Sequence, residues 1–415
     1  MKKIFTLFLA LVASVGTIFA QTSGTCGNNL TWNLSNGVLT ISGTGAMDDF
    51  PYQAPWYSAR ESISQVIIDN GVISIGERAF YNCSGLTSVT IPNSVTSIGY
   101  NLLVRCISLS TIEAPALYFN EAVSKNTLGD GNLPLPTKLT NVTVNGGELT
   151  SDGFDYIRLS YRTLVSFDMT DAENTTMPDV ALRECYNLKT LKLHAALTRI
   201  GYMSVAECKN LQSIDIPVSV TEISQSAFEN CRSLHTITFG GDTARALGRF
   251  NAPSSSESQL QRIGNWAFYN CHELQNLEIP EGVTEIGDGA FYGCMYLEEL
   301  SLPSSVRSIG DNTFALCAKL QRIIVNSPVP PTIQAKTFFD VKRRIPVYVP
   351  DEAVSAYEND TYWGEFDIQG QSESPQGLDQ ITNDHSPITN KILRNGQILI
   401  LRGDKTYTLT GQVVK

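Results

Sequence analysis

The chain has 415 residues and a formal net charge of −11. That acidity argues against a nucleic-acid backbone as partner, which demands clustered positive charge. The length admits two or three ordinary domains or one long repeat array, and beyond residue 20 no stretch is apolar enough to span a bilayer.

Residues 1–20 read as a secretory signal peptide: Lys2 and Lys3 precede the apolar run Ile4 to Ala13, with Ala20 at the expected cleavage point. Export would place the mature chain outside the cytoplasm. Residues 21–62 lack the repeat that begins at residue 63. Leu30 to Leu34, then Asn36-Gly37, then Val38 to Ile41 spell a hairpin with a two-residue turn. We read this region as an N-terminal β cap, because a solenoid leaves apolar coil edges bare at its ends.

From residue 63 to 340 one unit recurs, best stated over Ala267 to Cys317 as A-F-x-x-C-x-x-L-x-x-L-x-[IL]-P-x-x-V-x-x-I-G. Its strand, L-x-x-[LIV]-x-[LIVF], begins at Ile63, Leu86, Leu109, Leu139, Leu164, Leu188, Leu211, Leu234, Leu274, Leu297 and Leu320. The intervals are 23, 23, 30, 25, 24, 23, 23, 40, 23 and 23 residues, the signature of about eleven stacked coils. The first, fourth and sixth strand residues should face the core and the alternate ones solvent. Pro92, Pro217, Pro280 and Pro303 should end strands, lacking an N–H for the ladder. Gly76, Gly99, Gly201, Gly264, Gly287 and Gly310 share one turn position, where a positive φ is expected. Eight of the nine cysteines also share one position (Cys83, Cys106, Cys185, Cys208, Cys231, Cys271, Cys294, Cys317). Equivalent positions stack, so we expect a ladder of buried free thiols rather than disulfides, whose geometry parallel side chains fit poorly.

Two intervals break the rule. Residues 115–138 carry an irregular connection without Ala-Phe or Cys, and residues 241–259 insert a polar, Ser-rich surface loop. After Val325 the pattern dissolves. Residues 341–368 read as a C-terminal cap, with a short helix over 351–358 and Tyr357, Tyr362 and Trp363 to cover the open end. A polar linker (369–387) leads to a strand-like tail (388–415).

The run from Ser74 to Gly99, SIGxxAFYNCxxLxxVTIPNSVTSIG, resembles the 23-residue leucine-rich repeat of BspA-type surface proteins. Gly24 to Tyr57 resembles the cap that precedes those repeats. The tail, with Gly396-Gln397, Arg402 to Tyr407 and Thr410 to Gln412, resembles type IX secretion sorting modules. The resemblance implies a solenoid poor in helix, right-handed, with a parallel β-sheet on its concave face. It also implies export to the cell surface or medium, and adhesion to host matrix or other cells.

Outward positions on that sheet are the candidate binding residues: Lys189, Lys192, Gln212, Asp215, His235, Gln275, Glu278, Glu298, Glu299 and Arg322. Glu278, Glu298 and Glu299 should form an acidic patch that favours encounter with a basic or polar partner. The expected partner is an extracellular protein or glycoprotein, met by a monomer with no cofactor and no bound metal. Catalysis finds no support. His194, His235, His272 and His385 pair with no nucleophile motif, and a flat sheet encloses no water-free pocket. Arg402-Gly403-Asp404 is read as ordinary turn chemistry; the 241–259 loop is a second candidate contact beside the sheet, and the competing readings are a structural spacer of the envelope and a glycan-directed enzyme.

Overall fold

The computed structural model describes residues 22–125, 138–240 and 258–373, and the backbone of four antiparallel strands in the tail: Asn390–Arg394, Gln397–Arg402, Lys405–Thr408 and Val413–Val414. The expected signal peptide, residues 241–257 of the insertion, residues 126–137, His385, Gly403-Asp404 and most of the linker lie outside the described residues.

The first ordered element is the hairpin Leu30–Ser35 with Val38–Gly43. Asn36 (φ 51°) and Gly37 (φ 81°) supply the two left-handed residues that a two-residue turn needs between twisted strands. A strand the sequence did not announce, Ser23–Gly27, pairs antiparallel on its outer edge. On the other edge the chain switches to parallel pairing: Val38↔Gln65, then Gln65↔Ser88, then Ser88↔Thr111, with the ladder lapsing between Thr190–Lys192 and Ser213–Ile216 and again between Thr236–Phe239 and Asn276–Glu278.

All eleven expected strands are present along this front sheet, from Gln65–Ile68 to Arg322–Val325. Two more extend it, Pro346–Val349 and Asp367–Gly370, each parallel to its neighbour. The alternation holds. Leu297, Leu300 and Leu302 are fully buried, while Glu299 and Ser301 between them face out. Burying one such leucine is worth about 1.5–3 kcal/mol, so three per coil drive the stacking.

After the strand, V-x-x-I-G crosses to the rear and makes a second, shorter parallel ladder. It runs through Thr176–Met177, Arg199–Ile200, Glu222–Ile223, Arg262–Ile263, Glu285–Ile286 and Ser308–Ile309. The A-F segment then turns along the third side. Its N–H groups reach the next coil: Phe268 donates to Ala290 C=O at 2.7 Å and Asn270 to Tyr292 C=O at 2.8 Å.

The shared glycines do not have the positive φ expected of them. The left-handed positions lie elsewhere in the turn, at residues such as Asn82 (φ 59°), Asn230 (φ 59°) and Asn270 (φ 58°), where asparagine tolerates the conformation. The glycines are there because the preceding coil comes too close for a side chain. A Cβ on Gly201 would stand 2.6 Å from Met177 C=O, 2.7 Å from Pro178 C and 2.8 Å from Asp179 N.

Behind the turn, aromatic rings form a column. Phe228, Phe268, Phe291, Phe314 and Phe338 stack with centroids 5.0, 5.2, 5.6 and 5.3 Å apart. Trp56 takes the first place at the other end, stacked on Phe80 at 5.9 Å, with its indole N–H on Ala79 C=O. At the far end Trp363 and Phe366 close on Phe338, and Tyr357 OH donates to Ser327 C=O at 2.8 Å. Over 351–358 the chain forms one 3-10 turn and the helix Val354–Glu358. Mid-chain, helices α1 (Ala116–Glu121) and α2 (Ser151–Arg158) replace the A-F turn and pack together, with the buried hydroxyls of Tyr118 and Tyr156 3.1 Å apart.

All nine cysteines are free and buried. Six thiols lie within hydrogen-bond distance of the carbonyl at the Phe position of the preceding coil: Cys106 on Phe80 (3.1 Å), Cys208 on Leu182 (3.3 Å), Cys231 on Val205 (3.3 Å), Cys271 on Phe228 (3.4 Å), Cys317 on Phe291 (3.5 Å) and Cys294 on Phe268 (3.6 Å). A small apolar residue with one weak donor fits that slot. It fills the core and gives a buried carbonyl a partner.

Candidate binding surface

The front sheet presents two columns of outward side chains, set by ladder register. One runs Ser166, Thr190, Ser213, Thr236 and the other Asp168, Lys192, Asp215, Thr238. In the second half Asn276, Glu299 and Arg322 continue the first column, and Glu278, Ser301 and Ile324 the second. Of the sequence candidates, Lys192, Asp215, Glu278, Glu299 and Arg322 sit on strands. Lys189, Gln212, His235, Gln275 and Glu298 sit just before them. There their main chains link coils: Gln212 N–H donates to Lys189 C=O (3.4 Å), His235 to Gln212 (3.0 Å) and Glu298 to Gln275 (2.7 Å).

Cross-coil pairing alters the expected electrostatics. Arg322 donates to Glu299, whose side chain is only 12% exposed, so that carboxylate is neutralised within the face. Glu299 and Glu278 also belong to different columns. Lys192 bonds Asp168 at 2.7 Å, and Thr170 adds its hydroxyl at 2.7 Å and its N–H at 3.0 Å. Burial alone would raise the Asp168 pKa, but these donors outweigh it and hold it below the ordinary value. Thr238 Oγ1 donates to Asp215 at 2.7 Å. His235 Nδ1 lies 2.8 Å from Thr236 Oγ1. The face is therefore a mosaic of hydroxyls, amides and paired charges.

Hydroxyls also tie coil to coil beside the sheet. Thr87 donates to Ser64 C=O (2.9 Å), Ser110 to Thr87 C=O (3.2 Å) and Thr140 to Ser110 C=O (3.2 Å). These positions are taken up by structure, while the strand columns above them are open to a partner. His272 lies away from the strands, its pKa lowered by burial and by Arg232. Among the described residues no helix is long and apolar enough to cross a membrane, and no group of three or more His, Cys, Asp or Glu could hold a metal ion.

The sequence family described as BspA type Leucine rich repeat region matches in six copies, over residues 55–143, 160–249 and 249–359. No curated protein matches the chain. A solved leucine-rich repeat protein from Bacteroides ovatus ATCC 8483 is 20% identical, over 80% of this chain and 79% of that one, with a TM-score of 0.36. A leucine rich cell surface protein from Faecalibacterium prausnitzii A2-165 is 20% identical over 74% and 95%, TM-score 0.29. The pneumococcal vaccine antigen PcpA is 15% identical over 83% and 98%, TM-score 0.28. With the repeat matched over most of its length, and with parallel coils, an inward leucine ladder and a stacked aromatic column in place, the chain belongs to the BspA-type leucine-rich repeat family.

Proposed function

We propose that this protein is an exported, non-catalytic binder that meets an extracellular protein or glycoprotein on its front sheet. The observation that carries the reading is the face itself. Thirteen strands, in three parallel ladders, hold side chains in columns, a surface roughly 60 Å long at about 4.8 Å per strand. Ordered columns of short hydroxyls and amides lose little side-chain entropy on contact, which favours broad, shallow recognition. Residues 388–415 act in this reading as a sorting module for display or release, tested by fractionating cells that express the chain with and without them.

The binding test uses the full chain immobilised and exposed to matrix proteins and to whole cells. Glu278→Lys with Glu298→Lys, and separately Lys189→Glu with Lys192→Glu, reverse charge at two separate places on the face without touching the core. Retention should fall at least about tenfold for one pair, the loss of 1.4 kcal/mol. Unchanged retention for both would favour the envelope-spacer reading.

A further inference from the structure

Four cations stand together along the ridge where the third side turns into the front strand. Arg162, Lys209 and Arg232 share one position, two residues before the strand leucine, with Tyr186 in the place between the first two. Lys189 follows directly after Leu188. Main-chain bonds keep these coils in register: Lys189 N–H donates to Val165 C=O at 2.8 Å, Gln212 to Lys189 at 3.4 Å, Ser233 to Lys209 at 3.1 Å and His235 to Gln212 at 3.0 Å. A side-chain amide bond ties two of them again, Asn210 Nδ2 to Asn187 Oδ1 at 3.1 Å. Across residues 162–165, 186–189, 209–212 and 232–235 there is no carboxylate, in a chain whose net charge is −11.

Elsewhere the solenoid sets opposite charges side by side across coils: Arg322 with Glu299, Lys192 with Asp168, Arg262 with Glu222. On the ridge Lys209 and Arg232 are neighbours of one sign, which repel. Arg162, Lys189 and Arg232 are exposed and make no ion pair among the described residues. Lys209 meets Glu207 at 3.2 Å and stands 4.8 Å over the Tyr186 ring. The Arg162 guanidinium stands 5.2 Å over Tyr161, and the two tyrosine rings meet edge to face at 6.0 Å. Three of the four cations are therefore uncompensated, and two of the four are steadied by rings.

Resting on the reading of the chain as an exported binder, we propose that this ridge binds an anionic polysaccharide, a linear chain of sulfated or uronate sugars. Complementarity calls for a polyanion, and the pitch selects which. Coils recur about every 4.8 Å, whereas same-side residues of an extended peptide recur about every 6.8 Å, so an acidic peptide slips by about 2 Å at each coil. A chain of pyranose rings advances about one ring per coil and brings its anionic groups to Lys189, Lys209 and Arg232 in turn. A nucleic-acid strand would draw on open aromatic faces for its bases, but Tyr161 and Tyr186 are engaged with each other and with the cations. Gln212 and Ser233, between the cations, offer hydrogen bonds to sugar hydroxyls.

The probe is a fluorescein-labelled heparin decasaccharide, titrated into the full chain by fluorescence anisotropy at about 0.15 M salt. Saturable binding is expected. Arg232→Glu should weaken it at least about tenfold, and Arg232→Gln should lower the slope of log affinity against log salt by about one. Lys342→Glu, an equal change of charge at an exposed lysine outside the ridge, should leave binding unchanged. No binding, or equal loss in the Arg232→Glu and Lys342→Glu variants, would overturn the proposal. Displacement of the probe as readily by poly-glutamate or by an oligothymidylate of equal charge would also overturn it, by assigning the ridge to an acidic peptide or to nucleic acid. Lost matrix or cell retention in the Lys189–Lys192 variant with no decasaccharide binding would leave the front-face reading standing and remove the glycan alone. Unchanged retention in both charge pairs, with decasaccharide binding that Arg232→Glu weakens, would support the ridge and remove the front-face reading.

Discussion

The thiol ladder makes a sharp prediction about reactivity. Burial raises the Cys317 pKa from 9.0 to about 12, and Cys83 and Cys185 likewise to about 12. At pH 8 about one in ten ordinary thiols is ionised but only about one in ten thousand at pKa 12, so ionisation alone slows attack roughly a thousandfold, because the thiolate is the nucleophile. Access adds a second factor, since each sulfur is covered by neighbouring coils and must wait for opening. The assay is Ellman's reagent at pH 8 on the full chain, before and after 6 M guanidinium (about the upper end of denaturation midpoints). The native protein should show no fast phase, and nine thiols should appear on unfolding. Cys26, raised only to about 11 by burial and by Asp48, should be the first to react on long incubation. A fast native phase from any of the eight repeat thiols would refute the stacked geometry. A shortfall after denaturation would refute the free state.

Other outcomes rest on the same coils. Phe268→Ala, which removes a ring stacked on both faces, should cost about 3–5 kcal/mol and show in urea as a less cooperative transition, because each coil holds only its neighbours. Gly201→Ala should cost about 1–3 kcal/mol by overpacking against the Met177–Asp179 backbone; Gly201→Asn should be no better, whereas a left-handed glycine would be partly rescued by asparagine. Lys192→Met should lower the melting temperature at neutral pH, and by progressively less as the pH is brought down into the acid range. The sign comes from the depressed Asp168 pKa: its stabilisation is complete above the ordinary carboxylate pKa of about 3.9 and is lost as pH falls through the lower folded value.

Period and in–out alternation were legible because they are dictated by one repeating contact. Leu297, Leu300 and Leu302 must face inward in any register that buries them, and every strand expected from that rule is present. The chain end was less legible. Pro346–Val349 and Asp367–Gly370 add to the sheet through main-chain bonds, with no Cys or I-G signature and with intervals that leave the period. The glycine position was legible but its reason was not, since φ and close approach both select glycine and only the neighbouring coil distinguishes them. The charge pairs were written in the sequence and missed. Glu299 and Arg322 are one period apart, Asp168 and Lys192 nearly so, and ladder register puts them side by side. Reading columns rather than strands would have paired Glu299 with Arg322 in advance.

The coil divides its residues by duty, and this bears on where recognition can arise. Leucine, phenylalanine and cysteine positions meet the same residue type above and below, so changing one creates a cavity against two neighbours. Turn asparagines and glycines answer to backbone geometry. Only the outward strand positions are released from both demands, since their neighbours in the column need only tolerate them. Recognition can therefore change one coil at a time at little cost to the stack. The insertion coil goes further: it gives up its front ladder while keeping the rear ladder, the turn bonds and the phenylalanine stack. Three sides suffice to hold these two coils in register where the front ladder lapses.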